Sequence, residues 1–120
     1  MSLRNLGFSA VALACAFAAG CKSPHVQVTV ENRTGADVKL LEVDYPSASF
    51  GTGVLAPDGV FWYGLQTRGN GPVKVQYTAA NGRQIQITGP TLYEKQEGSI
   101  DIVLLPDGKA EFHPKLDRQH

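Results

Sequence analysis

The chain has 120 residues, with 11 Lys plus Arg balanced by 11 Asp plus Glu, and 42% of its residues are hydrophobic. That is the size of one domain, and the charge balance gives no net field to draw nucleic acid or an acidic surface. Its 13 glycines and 7 prolines fall at short intervals, which favours an all-β chain over a helical one.

Residues 1–20 differ in character from the rest. Met1 to Asn5 carries Arg4 and no acid, and Leu6 to Ala19 is an apolar stretch rich in alanine. Its roughly fourteen residues would rise only about 21 Å as a helix, short of the ~30 Å hydrocarbon core of a bilayer. This favours a cleaved signal over a permanent span. Small residues occupy positions 18 to 20, directly ahead of Cys21. Cys15 lies inside the leader, so the mature chain has no second cysteine to pair with Cys21.

Ala18-Ala19-Gly20-Cys21 resembles the lipobox of bacterial lipoproteins, with Ala18 where that family prefers Leu. The resemblance implies transfer of diacylglycerol to the Cys21 thiol and cleavage after Gly20. Lys22 in place of Asp implies an outer-membrane destination facing the periplasm, if the source is Gram-negative. Two or three acyl chains anchor stably, where one gives only reversible binding. The expected organisation is a signal peptide over 1–20, a lipidated N-terminus and short tether over 21–24, a folded domain over 25–113, and a polar tail over 114–120.

Val26, Val28 and Val30 alternate with Gln27, Thr29 and Glu31, the pattern of a half-buried strand. Asn32-Arg33-Thr34-Gly35 supplies turn chemistry, and this reading is preferred over the N-glycosylation sequon that the same residues match. In the next strand, Ala36 to Tyr45, Val38 and Leu40 share one parity while Leu41, Val43 and Tyr45 share the other. A change of phase predicts a β-bulge or a strand that crosses between sheets. Ser47 to Leu55 is a Gly-broken strand, closed by a hairpin-type reversal at Pro57-Asp58-Gly59.

Val60 to Gln66 follows. If Phe61, Tyr63 and Leu65 face inward, Trp62 is left outside. Val73, Val75 and Tyr77 form the next inward row, and Asn81-Gly82 is the strongest hairpin signal in the chain. It leads to Ile85 and Ile87, a strand expected to break at Gly89-Pro90. Thr91 to Gly98 reads as an irregular connection. Ile100, Ile102 and Leu104 make a further strand, Pro106-Asp107-Gly108 repeats the earlier turn, and Ala110 to Phe112 closes the sheet. The predicted fold is an all-β, antiparallel, immunoglobulin-like β-sandwich of about seven to eight strands, with a small barrel as the alternative. The strand and turn layout also resembles small bacterial lipoproteins of β-sandwich type, a likeness that brings no activity with it.

Few residues carry reactive chemistry. His25, His113 and His120 sit at the ends of the domain, and there is no Gly-x-Ser-x-Gly elbow, so a nucleophilic hydrolase is not expected. Glu42 and Asp44 share one side of a strand about 7 Å apart, but nothing nearby completes a glycosidase or calcium constellation, and a solvated face is preferred. No catalytic residue, metal or cofactor is implied. For recognition, the candidates are Trp62 and Tyr63 with the polar row that includes Gln84 and Gln86. Packing of Trp62 in the core or beneath a loop is the reading preferred over that role. The expected function is that of a non-catalytic, membrane-anchored envelope lipoprotein, a protein-interaction or structural module. The alternative is a carbohydrate- or peptide-binding module built on Trp62 and the polar strand face.

Overall fold

A computed structural model describes residues 24–117. Eight strands follow in order: β1 (His25–Asn32), β2 (Val38–Tyr45), β3 (Ala48–Leu55), β4 (Val60–Gln66), β5 (Gly71–Thr78), β6 (Gln84–Leu92), β7 (Gly98–Leu105) and β8 (Lys109–Leu116). They form two four-stranded sheets, β4-β1-β7-β8 and β3-β2-β5-β6. The all-β sandwich expected from the sequence is the observed fold.

Two features depart from that expectation in detail. The pairing of β1 with β7 is parallel, from Val26 opposite Gly98 to Asn32 opposite Leu104. β1 also lies inside its sheet, between β4 and β7, whereas the first two strands of an immunoglobulin domain are neighbours.

The core follows from alternation. Val26, Val28 and Val30 of β1, Val73, Val75 and Tyr77 of β5, and Ile100, Ile102 and Leu104 of β7 all point between the sheets and are buried. Each such side chain contributes about 1.5–3 kcal/mol when fully removed from water. Every strand, and every buried apolar side chain described, lies within residues 25–116, so this unit closes its own core.

The change of phase in β2 is a bulge. Lys39 pairs with Thr78 and Glu42 with Gln76, so Leu40 and Leu41 together oppose Tyr77. Leu41 turns inward at 2% exposure while Leu40 stands out at 71%, with a left-handed φ of 51°. On the neighbouring strand Gly51 accommodates this shape. A Cβ there would lie 1.9 Å from the Leu41 carbonyl oxygen.

Several boundaries move. Pro57-Asp58-Gly59 does not close a hairpin; β3 and β4 belong to different sheets, so this turn is a corner between them. In both Pro-Asp-Gly turns the aspartate takes the left-handed conformation, with φ of 63° at Asp58 and 66° at Asp107. β6 runs through Gly89-Pro90 to Leu92, and β8 continues through Pro114 to Leu116, so the polar tail begins later than residue 114. Both are edge strands, where a missing proline N–H removes no ladder bond. Asn81-Gly82 does form the β5–β6 hairpin, with Gly82 at φ 86°.

Candidate functional site

Two polar clasps hold the ends of the sandwich. At one end Asn32 is fully buried. Its Nδ2 donates to the carbonyls of Ala36 and Leu55, each at 2.8 Å, and its Oδ1 accepts from Thr34 N at 3.0 Å and Thr34 Oγ1 at 2.7 Å. The amide thereby ties the β1–β2 turn to the end of β3, in agreement with the turn reading. Its nitrogen is enclosed between two carbonyls, which leaves no access for glycosylation at this position.

At the other end Thr67 Oγ1 donates to Gln96 O at 2.8 Å, Gln96 Nε2 donates to Asp117 O at 2.9 Å, and Gln96 Oε1 accepts from Tyr93 N at 3.1 Å. These groups knit the β4–β5 and β6–β7 connections to the last residue described. Their sequence neighbours are polar on all sides, so nothing local distinguishes Thr67 or Gln96 from solvated loop residues. β1 starts at this same end, where Pro24 lies beside Thr67, Arg68 and Lys95. Cys21, the expected lipid attachment point, lies outside the described residues.

The recognition candidates are not brought together. Trp62 stands on the outer face of the β4-β1-β7-β8 sheet at 65% exposure, so it neither packs in the core nor lies under a loop. Tyr63, on the inward parity, remains 43% exposed because β4 is an edge strand. Its ring stacks on Phe50 of the facing sheet at 4.2 Å between centroids, and Phe50 also stacks on Phe61 at 6.2 Å. Gln84 and Gln86 lie on β6, on the outer face of the other sheet. Trp62 and these glutamines therefore lie on the outer faces of different sheets and, among the described residues, share no pocket.

The glutamines instead line a shallow trough of about 490 Å³ with Leu40, Glu42, Gln76 and Thr78. A second trough of about 470 Å³ shares Leu40 and Glu42 and runs over Gly51 and Gly53. Within the first, Gln76 Nε2 donates to Glu42 Oε2; beside it, Ser49 Oγ donates to Asp44 Oδ1. Each carboxylate is thus held by a neutral partner of its own. His113, 57% exposed, lies 3.3 Å from Glu111 at the far edge of the molecule. Among the described residues no three His, Cys, Asp or Glu side chains converge as metal ligands would.

The exposed apolar side chains lie toward one flank, but Leu40 and Trp62 are on the outer faces of different sheets. Leu40, Val54, Val60, Trp62 and Tyr63 all lie on β2, β3 or β4. β3 and β4 are the edge strands of the two sheets, and they meet on the same flank. Neither strand contains a charged residue, whereas β8 on the opposite flank holds Lys109, Glu111, His113 and Lys115. Scattered exposed hydrophobics are ordinary; these are grouped on and beside the two uncharged edge strands.

No protein-family model and no curated protein matches the chain. Among solved structures, one titled "NMR structure of the protein from Eubacterium rectale" is similar in fold, with a TM-score of 0.55 and 14% identity. The match covers 75% of this chain and 87% of that one. At this identity the likeness establishes the shared sandwich and nothing about activity.

Proposed function

We propose that this chain is a lipid-anchored, non-catalytic interaction module of the cell envelope. The observation that carries the interaction part is the uncharged β3–β4 flank, where Val54, Val60, Trp62 and Tyr63 are exposed and Tyr63 stacks on Phe50. The anchor part is supported by the small residues ahead of Cys21 and by its distance from the fold. Cys21 precedes the start of β1 by four residues, a tether of about 13 Å at full extension. On this reading the connections at the Thr67–Gln96 end lie toward the membrane. The four turns at the Asn32 end point away from it. For a Gram-negative source, outer-membrane placement facing the periplasm is the destination proposed from Lys22.

The address is tested by Cys21→Ser in the native host. The variant is expected to accumulate uncleaved or to leave the membrane fraction; retention and processing like the parent chain would refute lipidation. The interaction part is tested separately, by photocrosslinking from position 62 and from position 111 in living cells. Adducts from position 62 and none from position 111 are expected, and equal labelling from both would remove the basis for the flank.

A further inference from the structure

Four strands form the edges of the two sheets, and they differ in how they resist pairing. β8 carries Pro114 and two lysines, and β6 carries Gly89-Pro90. β3 is thinned by Gly51 and Gly53. β4, Val-Phe-Trp-Tyr-Gly-Leu-Gln, has no charge, no proline and no bulge against its partner β1. Natural sheets blunt their edges with charge, proline and bulges; β3 and β4 lack all three, β4 has one glycine against two in β3, and such an edge is a template for another strand.

The backbone of β4 is also poised for pairing. Asn32 N donates to Gly59 O at 3.0 Å, and β1 and β4 stay in unbroken register from there to His25 opposite Gln66. Antiparallel ladders alternate, so Phe61, Tyr63 and Leu65 bond to β1 while Val60, Trp62, Gly64 and Gln66 turn their backbone groups to the open edge. At the end of that edge Gln66 O accepts from Ser47 Oγ at 3.2 Å and Arg68 N at 3.1 Å. Among the described residues no hydrogen bond reaches the outward groups of Val60, Trp62 or Gly64.

We propose that β4 pairs antiparallel with β4 of a second copy, about a two-fold axis at Tyr63, so that two four-stranded sheets become one continuous sheet. The choice of occupant follows from self-complementarity. With Tyr63 opposite its own copy, Val60 faces Gln66 and Trp62 faces Gly64 of the partner, so all seven residues of the strand are paired. Each indole then lies over a residue without a side chain, the arrangement in which an aromatic shields a glycine on a sheet edge. A register centred on Trp62 would set indole against indole and bring Asp58 opposite Gln66. The contact is isologous and closes on itself, giving a dimer rather than a fibre. The proposal goes beyond the lipid anchor and does not depend on it.

The test uses the chain from Lys22 onward, which contains both sheets and the whole core and has no cysteine. Sedimentation equilibrium is expected to give twice the chain mass for the parent and a single chain mass for Trp62→Lys. The melting of the monomeric variant should remain cooperative. Tyr63→Cys places two thiols opposite each other in a non-hydrogen-bonded pair, about 4.5 Å between Cα atoms, within disulfide range. It should link into a dimer on mild oxidation, whereas Glu111→Cys on β8 should not. A parent chain that sediments as a monomer, or a Trp62→Lys variant that stays dimeric, overturns the proposal. So does a Tyr63→Cys protein that links no faster than Glu111→Cys.

Discussion

Asn32 uses both ends of its amide at zero exposure, donating to two carbonyls and accepting from two groups of Thr34. Replacing it with alanine leaves buried carbonyls without donors, and each buried polar group left unsatisfied costs about 1–3 kcal/mol. Asn32→Ala is therefore expected to destabilise by about 3 kcal/mol, read as a lower urea midpoint with little change in slope. Tyr45 makes a second long-range bond, its hydroxyl donating to the Gly69 carbonyl across the end of the sandwich. Burial, with a smaller contribution from Glu94, raises its pKa above the ordinary value of 10.0. Burial raises Tyr77 in the same direction. The folded state thus holds these protons more tightly than the unfolded chain. Their stabilisation is fully present below about pH 10 and is lost as pH rises through the folded pKa. Unfolding free energy measured from pH 8 to pH 12 should fall above pH 10, and Tyr45→Phe should shallow that fall.

At the scale of the element, the bulge in β2 sets two leucines against each other. Leu41 must be inside to continue the inward row of Val43 and Tyr45, and Val38 must be inside at the start of the same strand. The extra residue is Leu40, which is forced outward into a left-handed backbone. A γ-branched side chain gains nothing there, since it is mostly exposed, and its backbone conformation costs on the order of 1 kcal/mol. Leu40→Gly should leave stability unchanged or raise it by up to about 1 kcal/mol, measured by thermal denaturation. A loss of more than that would mean Leu40 contributes through contacts, not through its backbone.

This bulge was legible before the structure, because a change of parity among Val38, Leu40, Leu41 and Val43 has few physical causes. The strands of β1, β5 and β7 were equally plain from alternating valine and isoleucine. The prolines misled. Pro90 and Pro114 read as breaks, yet both sit on edges, and edge position is a property of the whole sheet that no local window contains. Trp62 misled for a related reason. Packing in the core or beneath a loop was the preferred reading, yet the alternation noted for Phe61, Tyr63 and Leu65 does send Trp62 outward, and the edge strand leaves Tyr63 half-covered. Thr67 and Gln96 had no signal at all, since a buried amide in a polar loop looks like any other loop amide. The candidate binding site failed at the same level: Trp62 and Gln84 are each exposed, as a binding role requires, but on opposite sides of the molecule.

For the whole molecule, the position of β1 has a consequence in time. β2–β3, β5–β6 and β7–β8 are formed by neighbours in the chain and can pair as soon as both strands exist. β1 is made first, but one of its two partners does not exist until the chain has passed Gly98. Contacts that must close long loops form late and slow folding. The first sheet therefore cannot be completed by any N-terminal fragment, however long it waits. For a chain that must cross a membrane unfolded to reach the proposed envelope location, that delay would be useful. A polypeptide whose central strand lacks its second neighbour until the end is drawn through a narrow channel more readily than one that folds as it emerges. Closure of the sandwich then falls on the far side, after the last strand has crossed.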